Sequence, residues 1–559
     1  MNPAVSDLHD VLDRGLDRGG HLLTAGERRI VARMRSLEGC SALAWARLTT
    51  RLPRVFEVDR LAIADVDDVP EALERLSRAG LVDGLVPWPA RAAALRKDDL
   101  VAALQQLGKP STGRRDVLLE RLRGERGFTR SRFVRVRHRG LVRRLERWAL
   151  LEPFPDRATL VLDRLGVVRW PEYATTGGAL LPPTRARWLA YERLLDRLGG
   201  RGPPLTPHLA IDALRDGLLE GPGRLDMTRR LRTEVLDTGH AYERDGRADE
   251  ARELYRRLVE EGGARLSRVA FRWAQALMAE DRTEDAWGVL VAARPQAGPV
   301  ERMAILRATR RIARKLGRST APDPPLRQPP LRDLRLERFE SEVRSVRPRW
   351  GADGRTVEGA VCGWLGEQGR NARFGERRPF TTLFALLFAD VLFMPVPGAL
   401  PVRYLTRPLD FGTAAFRARR ADAIEEVWQR IERGKAVEQL RDAWARWHGV
   451  RVVGARWGHA ALSELEVLAD HLGPRGLHAI LDPLVDHGLS RTAGLPDLVV
   501  WPGRPVRLPD AMPSRLTGEL HLVEIKGPGD RLRDAQRLWL DRLLEAGVRA
   551  ELWEVSGAR

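Results

Sequence analysis

Three residues near the C-terminus, Asp497, Glu524 and Lys526, have the types and the spacing to act together on a phosphate ester. Residues 498–501 follow Pro-Asp as a short apolar strand, and residues 520–527 (LHLVEIKG) alternate in character, which predicts a second strand. Residues i and i+2 of a strand point to the same side. Glu524 and Lys526 are therefore expected to emerge together, with Asp497 at the start of the neighbouring strand beside them.

These side chains are the minimum needed to hydrolyse a phosphodiester with the help of a metal ion. Two carboxylates can hold a hard divalent cation through oxygen. The cation polarises a phosphate and lowers the pKa of a bound water, while the lysine orients that water or stabilises developing charge. The pattern also has ordinary explanations, since Glu-x-Lys is common as an exposed ion pair on strands and Pro-Asp is a frequent turn.

The elements around these residues predict an α/β sheet. A helix is expected from residue 531 to 545 and a further strand from 550 to 555, so the order is strand, strand, helix, strand. The Pro- and Arg-rich stretch 502–518 is typical of a surface loop. The most apolar stretch, 383–394, is too short to span a bilayer, so it predicts a buried helix and no membrane partner.

Composition predicts a multi-domain protein that binds a polyanion. A chain of 559 residues suggests three or four domains. Its 95 Lys and Arg residues exceed its 76 Asp and Glu residues, which gives a net charge of +19, and arginine forks match phosphate oxygens. The two cysteines, Cys40 and Cys362, exclude a disulfide framework and fit a reducing cytoplasm. The first ten residues lack the features of a secretory signal, so a cytoplasmic protein is expected.

Positive charge is concentrated between residues 91 and 147, where 17 Lys and Arg accompany six Asp and Glu. Such a concentration is typical of a nucleic-acid-binding surface. Apolar residues at 100, 103, 104 and 107 predict one helix, and those at 117, 118 and 122 predict a second one after a Gly/Pro turn. The pair resembles a SAP domain, a small helical DNA-binding module, although an ordinary basic hairpin has the same pattern. The candidate DNA-binding residues are Lys97, Lys109, Arg114, Arg115, Arg135 and Arg137.

Two segments, 243–259 and 278–294, look like copies of one helical unit. Ala251 aligns with Ala286 at an offset of 35 residues, close to the period of tetratricopeptide (TPR)-like repeats, although any array of helical pairs can have such a spacing. The proline-dense stretch 317–330 predicts a linker. The expected domains are an N-terminal helical region (1–94), a SAP-like module with a basic helix (95–150), a helical repeat region (151–316), the linker (317–330) and a C-terminal domain (331–559).

The C-terminal motifs resemble the VRR-NUC domain of the Fanconi-associated nuclease family, which belongs to the PD-(D/E)xK phosphodiesterases. The resemblance rests on GLPDLVVW (494–501) followed by VEIKGPGDRLRDAQRLWLDRL (523–543). The block FGERRPFTTLFALLFADVLF (374–393) is similar to the helix that precedes the nuclease core in that family. Family members also have a SAP module, helical repeats and a nuclease domain in this order. Two distant cysteines cannot build the ubiquitin-binding zinc finger of vertebrate members, so a bacterial-type member is expected.

The resemblance implies a site for Mg²⁺ or Mn²⁺. The implied metal ligands are Glu376, Asp497, Glu524 and the main-chain carbonyl of Ile525. The implied catalytic residues are Asp497, Glu524, Lys526 and Gln536. Gln536 would bond the attacking water or a phosphate, although a contact between helix and sheet explains it equally well. Asp530 is expected to cap the helix that carries Gln536.

The resemblance further implies a structure-selective DNA nuclease that cuts 5′ flaps and branched DNA, acts as a 5′→3′ exonuclease and repairs interstrand crosslinks. Stand-alone VRR-NUC domains can instead act as symmetric junction resolvases, and a non-catalytic DNA-binding scaffold is a third hypothesis. The long N-terminal part argues against the resolvase, and the intact Asp497, Glu524 and Lys526 argue against the scaffold. The implied partner is branched or flapped DNA in the bacterial nucleoid. The sequence leaves the oligomeric state open.

Overall fold

The computed structural model describes most of the chain, and the described residues fall into two compact units. The described residues are 2–51, 54–123, 125, 132–151, 157–177, 181, 184–198, 209, 212, 225–260, 266–295, 297–320, 325–337, 350, 354–375, 377–502 and 520–557. The N-terminal unit comprises Met1–Val167 and Leu181–Gly199. The C-terminal unit comprises Val168–Leu180 and Gly200–Arg559.

The N-terminal unit is mainly α-helical. Its described helices are α1 (Pro3–Gly19), α2 (Ala25–Arg35), α3 (Gly39–Thr50), α4 (Val69–Arg78), α5 (Trp88–Ala94), α6 (Lys97–Gln106), α7 (Arg115–Arg121), α8 (Arg139–Leu150), α9 (Ala158–Arg164) and α10 (Arg185–Leu198). The described strands β1 (Val55–Glu57), β2 (Val82–Asp83) and β3 (Phe133–Val136) form an antiparallel sheet in the order β1-β3-β2. The sequence did not predict this sheet, because strands this short show no alternation of apolar and polar residues.

Helices α6 and α7 are the helical pair predicted within the basic segment. Leu100 and Leu104 of α6 share one buried core with Leu118 and Leu122 at the second helix. The sequence pattern also places Val117 in this apolar stripe, but Val117 is 39% exposed. Leu118 and Leu122 lie four residues apart on one helical face, whereas Val117 is rotated by about 100° from Leu118 and turns toward solvent.

The C-terminal unit contains the predicted helical repeats. The helices of this region are α11 (Leu225–Arg244), α12 (Ala248–Glu260), α13 (Leu266–Ala279), α14 (Thr283–Ala293) and α15 (Pro299–Lys315). Each helix packs on its neighbour in the chain, as in a helical repeat array. Ala251 of α12 and Ala286 of α14, which the repeat offset aligns, are both fully buried. Their small side chains occupy equivalent positions between packed helices.

Further helices of this unit surround a sheet. They are α16 (Val357–Glu367), α17 (Arg378–Leu387), α18 (Ala389–Leu392), α19 (Ala414–Ala418), α20 (Ala421–Glu432), α21 (Ala436–Trp447), α22 (Leu462–His487) and α23 (Asp534–Glu545). The predicted buried helix corresponds to α17 and α18, which are separated at Phe388. Within the described part of the chain, no helix has both the length and the apolar character needed to cross a membrane.

The sheet of the C-terminal unit has five strands. They are β4 (Leu331–Leu336), β5 (Arg370–Phe374), β6 (Leu498–Pro502), β7 (His521–Lys526) and β8 (Ala550–Gly557), in the order β4-β8-β7-β6-β5. Strand β7 pairs in parallel with β8 and antiparallel with β6. The predicted strands 498–501, 520–527 and 550–555 correspond to β6, β7 and β8. The predicted fold class, a mainly helical N-terminal part followed by an α/β domain, is thereby confirmed.

Strand β7 is the central strand of this sheet, and all of its residues are buried. On one face, Val523 and Ile525 lie in a core with Val361 and Leu365 of α16. On the other face lie the positions of Glu524 and Lys526. Strict alternation favours a strand with one solvated face, but a central strand covered on both sides buries its polar residues as well. Charged side chains are rarely buried unless they are paired, so these two positions stand out in the sheet.

Candidate active site

The antiparallel register of β6 and β7 places Asp497 and Glu524 opposite each other. Leu498 pairs with Val523, so the next two positions along the strands are Asp497 and Glu524. Opposed residues of antiparallel strands point to the same side of the sheet, with Cβ atoms about 4.5–5.5 Å apart. The two carboxylates singled out by sequence spacing therefore converge on the face opposite α16.

Lys526 and Gln536 complete the group around Glu524. Lys526 Nζ donates a hydrogen bond to Glu524 Oε1 at 2.7 Å, as the i, i+2 spacing predicts. Gln536 of α23 donates through Nε2 to the same oxygen, which makes it a contact between helix and sheet. Glu524 is fully buried and Lys526 is 9% exposed, whereas Asp497 is half-buried. Asp497 is therefore the carboxylate nearer to solvent.

Main-chain hydrogen bonds hold Asp497 in place. Its Oδ2 accepts from the main-chain N–H of Ile525 at 2.8 Å, and its main-chain carbonyl accepts from the N–H of Gly375 at 2.6 Å. The first bond joins the two strands beyond Val523, which is the last residue of β7 that pairs with β6. The second brings the segment before Glu376 next to Asp497. Glu376 itself lies outside the described residues, so its role as a ligand stays a prediction, as does that of the Ile525 carbonyl.

The electrostatic environment of Glu524 favours its neutral form in the absence of a cation. Burial is the largest cause, the negative charge of Asp497 adds to it, and together they raise the pKa of Glu524 to about 8. The hydrogen bond and the charge of Lys526 act in the opposite direction. A divalent cation between the carboxylates would supply the positive charge that lets both ionise, with release of a proton.

The donor set fits a hard divalent cation. Glu524 Oε2 is buried and accepts no hydrogen bond from the described residues, a situation that costs free energy and that coordination would relieve. Carboxylate oxygens are the ligands that Mg²⁺ and Mn²⁺ prefer. Within the described ranges, no three His, Cys, Asp or Glu side chains form a metal-binding group. Besides Asp497 and Glu524, a cation would therefore need main-chain, water or phosphate oxygens, or the side chain of Glu376.

Helix α23 begins later than the sequence predicts, and the expected capping role of Asp530 is wrong. The helix begins at Asp534 with Arg533 at the N-cap, and the main-chain N–H of Arg533 donates to Gln536 Oε1 at 2.9 Å. A side chain that reaches back from the third helical position thus caps the helix, as in half of a capping box. Because Gln536 Oε1 is occupied by this bond, the amide nitrogen faces Glu524. Asp530 lies in the preceding turn, where its N–H donates to the Gly527 carbonyl.

Gly494 allows α23 to approach the start of β6 closely. Its φ is +96°, and a Cβ atom there would lie 2.7 Å from the carbonyl carbon of Ala535 and 2.9 Å from the nitrogen of Gln536. Both the backbone conformation and the available space therefore require glycine. The sequence reasoning did not single out Gly494 as functional. It is nevertheless the first residue of the GLPDLVVW motif, and a glycine just before a strand is a signal of close backbone approach.

The predicted DNA-binding residues fall into two groups, all within the N-terminal unit. Lys97, Arg114 and Arg137 are exposed. The other three contact their own unit: Lys109 pairs with Glu125, Arg115 donates to the carbonyls of Ala93 and Leu95, and Arg135 pairs with Asp83. These three side chains stabilise the module in addition to contributing charge.

The site region matches a known domain family. Residues 431–557 match the model of the VRR-NUC domain. This part of the chain is similar to VRR-NUC domains. It includes Asp497, Glu524, Lys526 and Gln536, whereas Glu376 precedes the matched range.

Beyond residues 431–557, the chain is similar to Fanconi-associated nucleases along nearly its whole length. A homolog from Pseudomonas aeruginosa is 28% identical over 552 residues, which cover 94% of this chain and 90% of that protein. A homolog from Arabidopsis thaliana is 24% identical over 620 aligned residues, which cover 96% of this chain and 65% of that protein. The chain spans only 17% of a rice (Oryza sativa subsp. japonica) homolog, with 34% identity over 175 residues that make up 31% of this chain.

A solved structure extends the similarity to three dimensions. The crystal structure of paFAN1 bound to 2nt 5′ flap DNA with a gap matches this chain with a TM-score of 0.80 and 25% identity. The match covers 100% of this chain and 99% of paFAN1. The resemblance to the Fanconi-associated nuclease family that the sequence motifs predict is therefore confirmed.

The raised pKa of Glu524 predicts a pH-dependent stability of the metal-free protein. The folded state holds the proton up to a pH of about 8, whereas an unfolded glutamate releases it near its ordinary value of 4.5. The stability that this proton provides is complete below pH 4.5 and is lost as the pH rises through about 8. Glu524→Gln carries no such proton, so its free energy of unfolding should rise relative to wild type between these limits, by up to about 1.4 kcal/mol per pH unit.

Urea unfolding in EDTA at pH 5, 7 and 9 measures this difference. Glu554→Gln, at an exposed position of β8, controls for the loss of one carboxylate. If the free energies of unfolding of Glu524→Gln and wild type differ by the same amount at all three pH values, the pKa of Glu524 is not raised in the folded protein.

The close contact at Gly494 predicts that Gly494→Ala destabilises the VRR-NUC domain by about 1–3 kcal/mol, because the new methyl group displaces the first turn of α23. Urea unfolding of the full chain measures the change. Gly366→Ala is the matched control, since a Cβ at this helical position of α16 meets no atom within 4 Å. Equal stabilities of the two variants would show that α23 does not depend on the close approach.

Proposed function

We propose that this chain is a divalent-cation-dependent, structure-selective DNA nuclease that cuts 5′ flaps and branched DNA, acts as a 5′→3′ exonuclease and serves in the repair of interstrand crosslinks. The observation that carries the proposal is the convergence of Asp497, Glu524 and Lys526 on one face of the sheet. Similarity to Fanconi-associated nucleases, and to paFAN1 in complex with flap DNA, supports it. The proposed setting is the bacterial nucleoid.

Asp497 and Glu524 would hold Mg²⁺ or Mn²⁺, with Ile525 and Glu376 as the further ligands that the family resemblance implies. When bound, the cation would polarise the scissile phosphate and acidify a water. Asp497, the half-buried carboxylate, is the one nearer to solvent and so the more accessible to a phosphate. Lys526 is positioned by Glu524 at 2.7 Å and can donate its remaining protons to a phosphate oxygen or to the attacking water.

Gln536 keeps Glu524 in place for this chemistry. Its amide is oriented by the main-chain N–H of Arg533, so that its nitrogen donates to the carboxylate oxygen that also receives Lys526. With Oε1 engaged by two donors, Oε2 is the oxygen of Glu524 left for a cation. In this way the helix and the strand together decide which oxygen is presented to the metal.

In the proposed function the SAP-like module binds DNA through exposed basic residues. Lys97, Arg114 and Arg137 are suited to contact phosphates directly because their side chains are exposed. Lys109, Arg115 and Arg135 would contribute through the shape of the module, since each already contacts a carboxylate or a carbonyl. Replacing a residue of the first group should weaken binding to all DNA sequences to a similar extent.

Lys526→Met tests the assigned chemistry. Cleavage of labelled 5′-flap DNA in Mg²⁺ should fall by about 10²–10³-fold, because the charge next to the scissile phosphate is lost. DNA affinity, measured by fluorescence anisotropy in EDTA, should stay within about twofold of wild type, since Lys526 is largely buried. Lys435→Met is the matched control, because Lys435 is an exposed lysine of the same unit.

The substrates used in this assay separate the proposed activity from the alternatives. Faster cleavage of a 5′ flap than of a four-way junction supports the proposal, whereas paired symmetric nicks in the junction indicate a resolvase. Binding without cleavage in either Mg²⁺ or Mn²⁺ indicates a scaffold. Equal cleavage rates of wild type and Lys526→Met would show that the site is assigned to the wrong residues.

A further inference from the structure

The helical repeats contact the first turn of α23 through a pair of hydrogen bonds. Arg307 of α15 donates from Nη1 to Asp534 Oδ1 at 2.7 Å and from Nη2 to Asp534 Oδ2. Asp534 is the first residue of α23. Both residues belong to the C-terminal unit. A fork of two parallel hydrogen bonds fixes the orientation of the partners as well as their distance.

A second arginine holds the other end of α23. Arg327 lies between α15 and β4 in the sequence, and its main-chain N–H donates to Asp541 Oδ1 at 2.7 Å. Its guanidinium also pairs with Asp541 at 3.2 Å and with Glu545 at 3.4 Å. The two halves of α23 are therefore attached to chain segments that precede the sheet in sequence.

The first turn of α23 contacts Glu524 of the candidate active site through Gln536. Asp534 is two residues from Gln536, whose amide is held by Arg533 and donates to Glu524. The backbone of this turn also rests against Gly494, where there is no space for a Cβ atom. A shift of this turn would consequently move Gln536 relative to Glu524.

The contribution of Arg307 to folding stability is small. The Arg307 side chain is 50% exposed and that of Asp534 is 19% exposed, and ion pairs with this exposure contribute little to folding stability. The reaction rate is much more sensitive to such a contact, since a displacement of about 1 Å of a catalytic group can reduce a rate by about 10²-fold. The Arg307–Asp534 pair is therefore better suited to fix the position of α23 than to stabilise the fold.

We propose that Arg307 is a positioning residue of the active site. Through Asp534 it sets the position of the first turn of α23, and thereby the hydrogen bond from Gln536 to Glu524. The helical repeat region α11–α15 then contributes to the catalytic centre, because its last helix positions α23. This inference rests on the proposed nuclease function.

The test compares Arg307→Ala with Arg311→Ala in the full-length chain. Arg311 is an exposed arginine on the same helix, so its replacement removes an equal charge and leaves the Asp534 fork intact. For Arg307→Ala, the single-turnover cleavage rate at saturating 5′-flap DNA should fall about 10- to 100-fold, with DNA affinity in EDTA within about twofold of wild type. Arg311→Ala should match wild type in the cleavage rate. Arg307→Lys, which keeps the charge and loses the fork, should lie between the two.

Hydrogen exchange gives a readout that does not depend on activity. In the metal-free protein, backbone amides of residues 537–540, which donate the first helical hydrogen bonds of α23, should exchange faster in Arg307→Ala than in Arg311→Ala. A double-mutant cycle with Asp534→Ala should be non-additive in the cleavage rate, because either single change breaks the same contact. Thermal unfolding of each variant establishes that the fold is retained.

Several outcomes would overturn the inference. Weaker DNA binding by Arg307→Ala with an unchanged rate at saturation would make Arg307 a DNA contact. An equal loss of activity in Arg311→Ala would show that the effect comes from the lost positive charge and not from the contact with Asp534. Additive effects of Arg307→Ala and Asp534→Ala would show that Arg307 does not act through Asp534. If wild type does not cleave DNA, the proposed function fails, and unchanged hydrogen exchange at residues 537–540 would then overturn the positioning role by itself.

Discussion

The structure of the site depends on two carboxylates that the β6–β7 register forces together. Asp497 and Glu524 occupy opposed positions, and Glu524 is fully buried, so their negative charges repel in a medium that screens weakly. A single ammonium group, that of Lys526, compensates only part of this charge, and the pKa of Glu524 is raised to about 8 in spite of it. Ladder hydrogen bonds and the apolar core under α16 hold the strands in this register. The arrangement is costly for the empty protein and favourable for one that binds a divalent cation.

This constraint explains why the surroundings of Glu524 are so closely defined. A buried carboxylate with one unsatisfied oxygen must be presented in one orientation, and here Lys526 and Gln536 both donate to the other oxygen. Gln536 is in turn fixed by its own helix N-terminus and by the absence of a side chain at Gly494. Because α23 also contacts the repeat helix α15, the sheet does not build this site alone. Secondary contacts of this kind decide how precisely a catalytic group is held.

Much of this arrangement could be predicted from local sequence patterns. The i, i+2 spacing of Glu524 and Lys526 requires only strand geometry, and the burial of Ala251 and Ala286 follows from the repeat offset. Other features were missed or predicted wrongly. The start of α23 was misplaced because Gln536, rather than Asp530, supplies the cap, and the burial of one face of β7 reflects α16, a helix distant in sequence. Strand order is a tertiary property, so a window of neighbouring residues does not contain it. The cap is local, but both Asp530 and Gln536 are residue types that can cap a helix, so the window does not decide between them.

In the basic segment 91–147, the local sequence likewise does not show which charges are neutralised by other parts of the chain. Counting charges between residues 91 and 147 treats every arginine as part of a DNA-binding surface, but two arginines of α8 are used inside the N-terminal unit. Arg144 pairs with Glu27 at 2.7 Å and with Glu192 at 2.6 Å, and the buried Arg147 pairs with Asp196 at 2.7 Å. All three carboxylates lie outside the segment in sequence, so a local count does not include the charges that neutralise these arginines. The positive segment therefore has a part that is paired within the unit and a part that is exposed, and side-chain exposure distinguishes them where the number of charges does not.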